Sequence, residues 1–533
     1  MTRRFSDGRI SMKKNESRTK NSLLNIASGF TIQIISLVLN FVTRTVFIKT
    51  LGVSYLGING LFSDILSLLS LAELGFDTAI SFRLYKPIAD GDDIKVRQYL
   101  KLFKNIYKIV GFVIFGVGLT LIPFLPYIIK DYDSLADLGI NAAIIFILYL
   151  FQNVSTYLFM AYRSIAIKAS QKQHILDMIS FGITIAYNIV KIIILLTICN
   201  FTAYILTTTV FFVLQNLINA YVATKKYPNY FTKEETSLRK EEKIELFKDC
   251  GALFVYKINN VVIKATDNIV LSSFVGLTIV GLYSNYLVIY QALYSILHIL
   301  FRSVKASMGN LFTTNDISKK YYFFEVMNYI AIILYGTAAV GVAVEANEVI
   351  SIWIGSEHII PQPLPILIGI ELLFAGLKLN LAQIRNVSGI FKQMWFRPVI
   401  GSVINVVSSI ILVQYWGIAG VITGTILAAL FANFMVDPRA IHKYSFNNYK
   451  PVGHYYKKNV IYIIVLTIIG SVDLLICNNC FLGHGLLSII LHMLVCGISV
   501  PIVFILLYWK TKECKYLRKK AKTLLYKALR RTT

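Results

Sequence analysis

The chain has 533 residues, 56% of them apolar and 15% charged, with 53 Lys and Arg against 28 Asp and Glu for a formal net charge of +25. At a mean hydropathy of +0.63 this composition excludes a soluble globular protein, whose core cannot absorb so much apolar surface. The charge excess does not point to nucleic acid, because it is spread over the connections between apolar runs, where an anionic lipid leaflet accounts for it.

In chain order, residues 1–20 carry seven Lys/Arg against two acids. This polar start, followed by an apolar run too long for a signal h-region, leads us to expect that the first run is retained. Runs of the roughly 20 residues needed to cross a bilayer then recur almost to the end, about fourteen in all. They are expected at 22–49, 55–82, 105–129, 138–162, 174–199, 202–223, 250–274, 277–301, 322–345, 363–386, 394–415, 417–435, 459–477 and 484–509. We refer to them as spans one to fourteen. With the amino terminus in the cytoplasm, every even-numbered connection is cytoplasmic and carries the basic residues, as the positive-inside rule requires. Arg83, Lys86, Lys95, Arg97, Lys101 and Lys104 lie in one such connection, and seven Lys/Arg lie in 225–248. The external connections are short and acidic, with Asp131, Asp133 and Asp137 in one and Glu348 and Glu357 in another. Residues 510–533 return to the cytoplasm with ten Lys/Arg and one Glu. Leu517, Ala521, Leu524, Leu525 and Ala528 fall there at helical spacing, as in an amphipathic helix on anionic lipids or a solvated basic tail.

The expected organisation is therefore an all-α integral membrane protein. It comprises a basic tail (1–21), an amino-terminal lobe of six spans (22–224), a cytoplasmic linker (225–249), a carboxyl-terminal lobe of six spans (250–436), a connection with two further spans (437–509) and a basic tail (510–533). A repeat supports the division. Leu51-Gly-Val-Ser-Tyr-Leu-Gly57 joins spans one and two, and Val275-Gly-Leu-Thr-Ile-Val-Gly281, 224 residues on, joins spans seven and eight. Each is a G-x-x-x-x-G turn between long apolar segments. Transporters built from parallel repeats bind substrate at the repeat interface near the midplane.

Ionisable residues at bilayer depth mark a substrate or ion pathway, or pair with one another. Arg44 and Asp64 flank the first turn at similar depth, at about 1.5 Å of rise per residue, and are able to pair across it. Glu73 and Asp77 share a face of span two and suit proton exchange or cation binding; pairing with a Lys of another span is the alternative. Span seven carries Lys257 and Lys264, with Asp267 one turn beyond. Span ten carries Glu371, Lys378 and Arg385 at seven-residue spacing, a stripe that cannot face lipid. Arg302 and Lys305 end span eight, where the positive-inside rule also explains them, as it does Arg385. Lys191 in span five has no assigned role.

The turn Leu51–Gly60, Ser70-Leu-Ala-Glu-Leu-Gly75 with Ala79 and Ile80, Leu84-Tyr-Lys-Pro87 and Val280-Gly-Leu-Tyr-Ser-Asn-Tyr286 give the chain a resemblance to a known family. It resembles the O-antigen and capsule repeat-unit flippases of bacteria, within the multidrug, oligosaccharidyl-lipid and polysaccharide exporter superfamily, over nearly its whole length. The resemblance implies two six-helix lobes in a V, two added helices, alternating access, and transfer of an undecaprenyl-pyrophosphate-linked glycan between leaflets of the bacterial inner membrane. Arg44, Lys257, Lys264, Lys378, Arg385 and Arg302 are then the expected cations for the pyrophosphate. Asp64, Glu73, Asp77, Asp267 and Glu371 are the expected coupling or gating carboxylates. The other expected partners are anionic lipids and glycan polymerase or assembly proteins.

No catalytic residue, metal ligand or cofactor is expected beyond a coupling H+ or Na+. The chain has no G-x-x-x-x-G-K-[ST] loop, and Cys477-Asn-Asn-Cys480 reads as a chance pair or a local disulfide, lacking the second pair a zinc site needs. The competing readings are a drug or metabolite antiporter of the same architecture and, from another class, a membrane glycan polymerase or glycosyltransferase.

Overall fold

The computed structural model describes residues 35–70, 76–130, 132–159, 161–232, 237–312, 316–390, 392–394, 396–480 and 485–532. It is an all-α integral membrane protein, with no strand among the described residues. Nine of the described helices are long and apolar enough to cross a bilayer, and Val53–Leu69 and Ala142–Leu158 are shorter apolar helices.

By packing, the chain divides into two compact units, residues 1–278 and 279–533. This division falls one helix later than the one by span count, because the helix of span seven, Lys240–Phe274, packs on that of span two, Val53–Leu69. The two ends of span seven are tied into the first unit by different chemistry. In its first turns Glu242 meets Lys95 at 2.5 Å and Glu245 meets Arg83 at 3.0 Å. Hydrogen bonding from Lys95 holds the Glu242 carboxyl below the usual carboxylate range. At the far end the Ser272 and Ser273 hydroxyls donate to the Ile128 carbonyl, at 3.0 and 2.9 Å. Span two has two described helical pieces, Val53–Leu69 and Phe76–Asp90.

The repeated turns share a backbone design. Helix 35–51 gives way at Gly52, φ +97°, to Val53–Leu69, and Lys240–Phe274 gives way at Gly276, φ +121°, to Leu277–Phe312. Both matched glycines adopt the positive φ that a side chain resists. The turns also touch, since Ser54 Oγ lies 3.1 Å from Thr278 Oγ1. Gly57 lies so close to the first turn of Leu277–Phe312 that a Cβ on it would overlap the Leu277 carbonyl. Gly57→Leu should therefore lower stability by about 1 to 3 kcal/mol, the ordinary range for overpacking. Thermal unfolding of the detergent-purified protein measures this, and an unchanged midpoint would refute the tight approach.

In the second unit, spans nine and ten (Ile317–Ile354 and Leu364–Ser388) pack closely, as Gly369 meets the Ala339 carbonyl without a Cβ between them. Spans eleven and twelve form a second close pair. Span twelve runs past its expected end: Ile418–Ala428 passes through a π-helical segment, Ala429–Met435, into Val436–Tyr444. Spans thirteen and fourteen, Val452–Cys480 and Leu486–Leu507, lie on span nine. Asn328 donates to Asn459 at 3.0 Å and Tyr329 donates to the Phe504 carbonyl at 2.9 Å, so polar groups help set the register of this contact. The carboxyl-terminal residues form the helix Lys512–Thr532.

Candidate functional site

In the first unit, span five (Gln173–Thr197) brings Lys191 inward to 7% exposure, although its sequence neighbourhood offers no acid. Its Nζ sits 4.6 Å from the ring centre of Tyr187, four residues earlier on the same helix face. A second ring, Tyr204 of span six, is 4.4 Å away. No carboxylate lies within ion-pair distance of Lys191 among the described residues. Arg44, half-buried on span one, interacts electrostatically with the same Tyr204, whose ring packs edge-on against Phe47 at 4.9 Å. Thr43 donates to Asn188 at 2.6 Å and fixes span one against span five. Two cations on different spans thus converge on one tyrosine, and for Lys191 cation–π contact partly replaces the water it has lost. Such a group suits an anion better than a cation.

Among the expected carboxylates, Asp64 is half-buried and accepts a hydrogen bond from Asn268 of span seven. Asp267, the residue before Asn268, is half-buried too. Glu73 lies outside the described residues. The backbones of Asp77, Lys257, Lys264, Arg302 and Lys305 are helical, and their side chains lie outside the described set.

In the second unit, the span-ten stripe meets partners at each level. Glu371 hydrogen-bonds with Tyr290 of span eight. Lys378 is within electrostatic reach of Asp437. Arg385 Nη1 lies 3.1 Å from Asp437 Oδ2, and Arg397 Nε of span eleven lies 3.3 Å from Asp437 Oδ1. Arg397 also donates to Asn433, inside the π-helical segment. Asp437, Arg397 and Arg385 are 0%, 4% and 7% exposed. The stripe therefore runs along packed helices, as a lipid-averse row of charges must, and one end of it is neutralised by a buried carboxylate.

The sequence alone offers no role for Lys191 and no reason to single out Asp437, Asn433 or Arg397. A usable signal for Lys191 was Tyr187 one helical turn away. For Asp437 the signal was Asp-Pro-Arg just past an expected span end, which has the look of an interfacial connection.

No protein-family model matches the chain, and no curated protein matches it. Solved structures do match in fold. The inward closed conformation of the lipid II flippase MurJ superposes with a TM-score of 0.63 at 15% identity, covering 90% of this chain and 98% of that one. An inward-facing multidrug resistance MATE family transporter of the MOP superfamily gives 0.55 at 13% identity, covering 77% and 94%. An outward-facing MATE family transporter gives 0.53 at 14% identity, covering 80% and 95%. At these identities the likeness is one of fold.

Proposed function

We propose that the protein is a flippase that carries undecaprenyl-pyrophosphate-linked oligosaccharide repeat units from the inner to the outer leaflet, by alternating access, for surface polysaccharide synthesis. The carrying observation is the fold shared with a lipid II flippase over 90% of this chain and 98% of that one. The multidrug transporter of the same fold covers a smaller share, 77% of this chain. Reading the chain as a carrier rather than as a glycan polymerase or glycosyltransferase follows the named roles of both neighbours.

Within this reading, Arg44 and Lys191 in the first unit, and Lys257, Lys264, Lys378 and Arg302 on spans seven, ten and eight, offer charge-assisted hydrogen bonds to pyrophosphate. Asp64, Glu73, Asp77, Asp267 and Glu371 are where protonation or Na+ binding would bias the conformational equilibrium. The drug-antiporter reading fits less well, since a cationic drug would meet like charge at Lys191. The protein belongs, in this reading, in a bacterial inner membrane with both termini cytoplasmic, where the basic connections and the tail helix face anionic lipid.

Complementation tests the proposal. A strain lacking its own repeat-unit flippase should regain surface polysaccharide when it expresses this chain. Absence of surface glycan, with the chain present in the membrane and repeat units accumulating on the inner leaflet, would reject it. Raised drug resistance without glycan export would favour the antiporter.

A further inference from the structure

Three helices of the second unit bring together side chains that no transport role uses. Glu345 of span nine, Cys477 of span thirteen and His492 of span fourteen each offer a ligand atom, all within 4.8 Å of one another. His492 Nδ1 is 2.8 Å from Glu345 Oε1. Cys496 lies one helical turn after His492 and within hydrogen-bond reach of Cys477. The four are deeply buried, at 3% for Glu345, 2% for Cys477, 8% for His492 and 2% for Cys496.

We propose that Glu345, Cys477 and His492 form a zinc site that fastens spans thirteen and fourteen to span nine, with Cys496 beside the Cys477 sulfur. One imidazole, one carboxylate and one thiolate are donors that Zn2+ takes, with its fourth position open to a neutral ligand, and sulfur disfavours the hard cations Mg2+ and Ca2+. Charge supports it as well. A carboxylate and one thiolate cancel the two positive charges of the ion, so a buried acid and an ionised sulfur become tolerable among apolar helices. An independent sign is Glu345 Oε2, which is buried with no hydrogen-bond donor among the described residues. Neither Cys477 nor Cys496 is in a disulfide. The side chain of Cys480, the other half of the C-x-x-C, lies outside the described residues. The ligands instead come from span nine and from the consecutive spans thirteen and fourteen, so an ion there joins segments more than 130 residues apart and adds to folding stability.

The site makes no use of the flippase reading, and its test needs no transport assay. Full-length protein purified in detergent is stripped with a chelator, loaded with Zn2+, desalted and analysed for metal. The expected result is one equivalent per chain, a raised thermal midpoint, and slower labelling of Cys477 by maleimide present during heating, read in peptide mass spectra. Cys477→Ser and His492→Gln should each lose the bound equivalent and the zinc-dependent rise in midpoint. No retained zinc in the wild-type protein overturns the proposal. So does equal retention in the Cys477→Ser/His492→Gln double variant, or labelling of Cys477 on heating unchanged by zinc. The last reading decides the matter even where a variant fails to fold. A Cys477–Cys496 disulfide in protein purified without reductant that refuses zinc also overturns it.

Discussion

Asp437→Asn should lower the stability of the folded protein by about 3 to 5 kcal/mol, the range for removing one partner of a buried ion pair or triad. The carboxylate is fully buried and each of its oxygens faces a different guanidinium, Arg385 at 3.1 Å and Arg397 at 3.3 Å. Lys378 acts on it from the same helix as Arg385. Asparagine keeps the shape and removes the charge, so the loss measures electrostatics rather than a cavity. Pairing the change with Arg385→Met should recover part of it, because a remaining uncompensated cation is the source of the cost. The measurement is the unfolding midpoint by fluorescence-detected size exclusion after heating. A wild-type midpoint for Asp437→Asn would remove the triad from the account of the second unit. The triad also bears on Arg385 as a pyrophosphate ligand, since one of its guanidinium nitrogens is already engaged with Asp437.

The second large effect is expected in transport. Neutralising Arg44 and Lys191 together, as Arg44→Gln with Lys191→Gln, should abolish glycan export while leaving the protein in the membrane. A hydrogen bond to a charged group contributes roughly 1.5 to 3 kcal/mol, so each cation lost should reduce export by about tenfold to hundredfold. Lys191→Met separates function from structure. The ammonium is held by two tyrosine rings and by no carboxylate among the described residues, so replacing it with an apolar chain should leave stability equal or improved while export falls. A purely structural lysine would behave the other way, with stability lost and export retained in proportion to the folded protein. Wild-type export by the double variant would exclude the pair from substrate binding.

Most of the helices were legible in the sequence because length and apolarity are one-dimensional properties of a membrane span. Gly52 and Gly276 also announced their turns, since a positive φ between two helices selects for glycine. What escaped depends on partners from elsewhere. Asp437 and Arg397 sit at the ends of expected spans and look interfacial; the π-helical stretch Ala429–Met435 carries the helix on and keeps Asp437 inside. Lys191 had no acid beside it because its partner is an aromatic face on the following span. The clearest cysteine motif drew the eye to Cys480, whereas Cys477 meets His492 and Glu345, whose proximity needs three helices to be packed first. A count of spans carries no information about the helix against which span seven packs.

The contact between Ser54 and Thr278 has an evolutionary consequence. The two residues occupy the same position in the two copies of the turn, 224 residues apart, and either hydroxyl is able to act as the donor. If a single ancestral half once assembled as a homodimer, this contact was one residue meeting its own copy on a two-fold axis, the self-complementary arrangement of an isologous interface. Few side chains tolerate that position. A lysine would meet a lysine and an aspartate an aspartate, whereas a hydroxyl both donates and accepts and so bonds to an identical partner. On that supposition fusion of the two halves would have freed the positions to differ, and the residues that stand there, serine and threonine, are the two aliphatic hydroxyls.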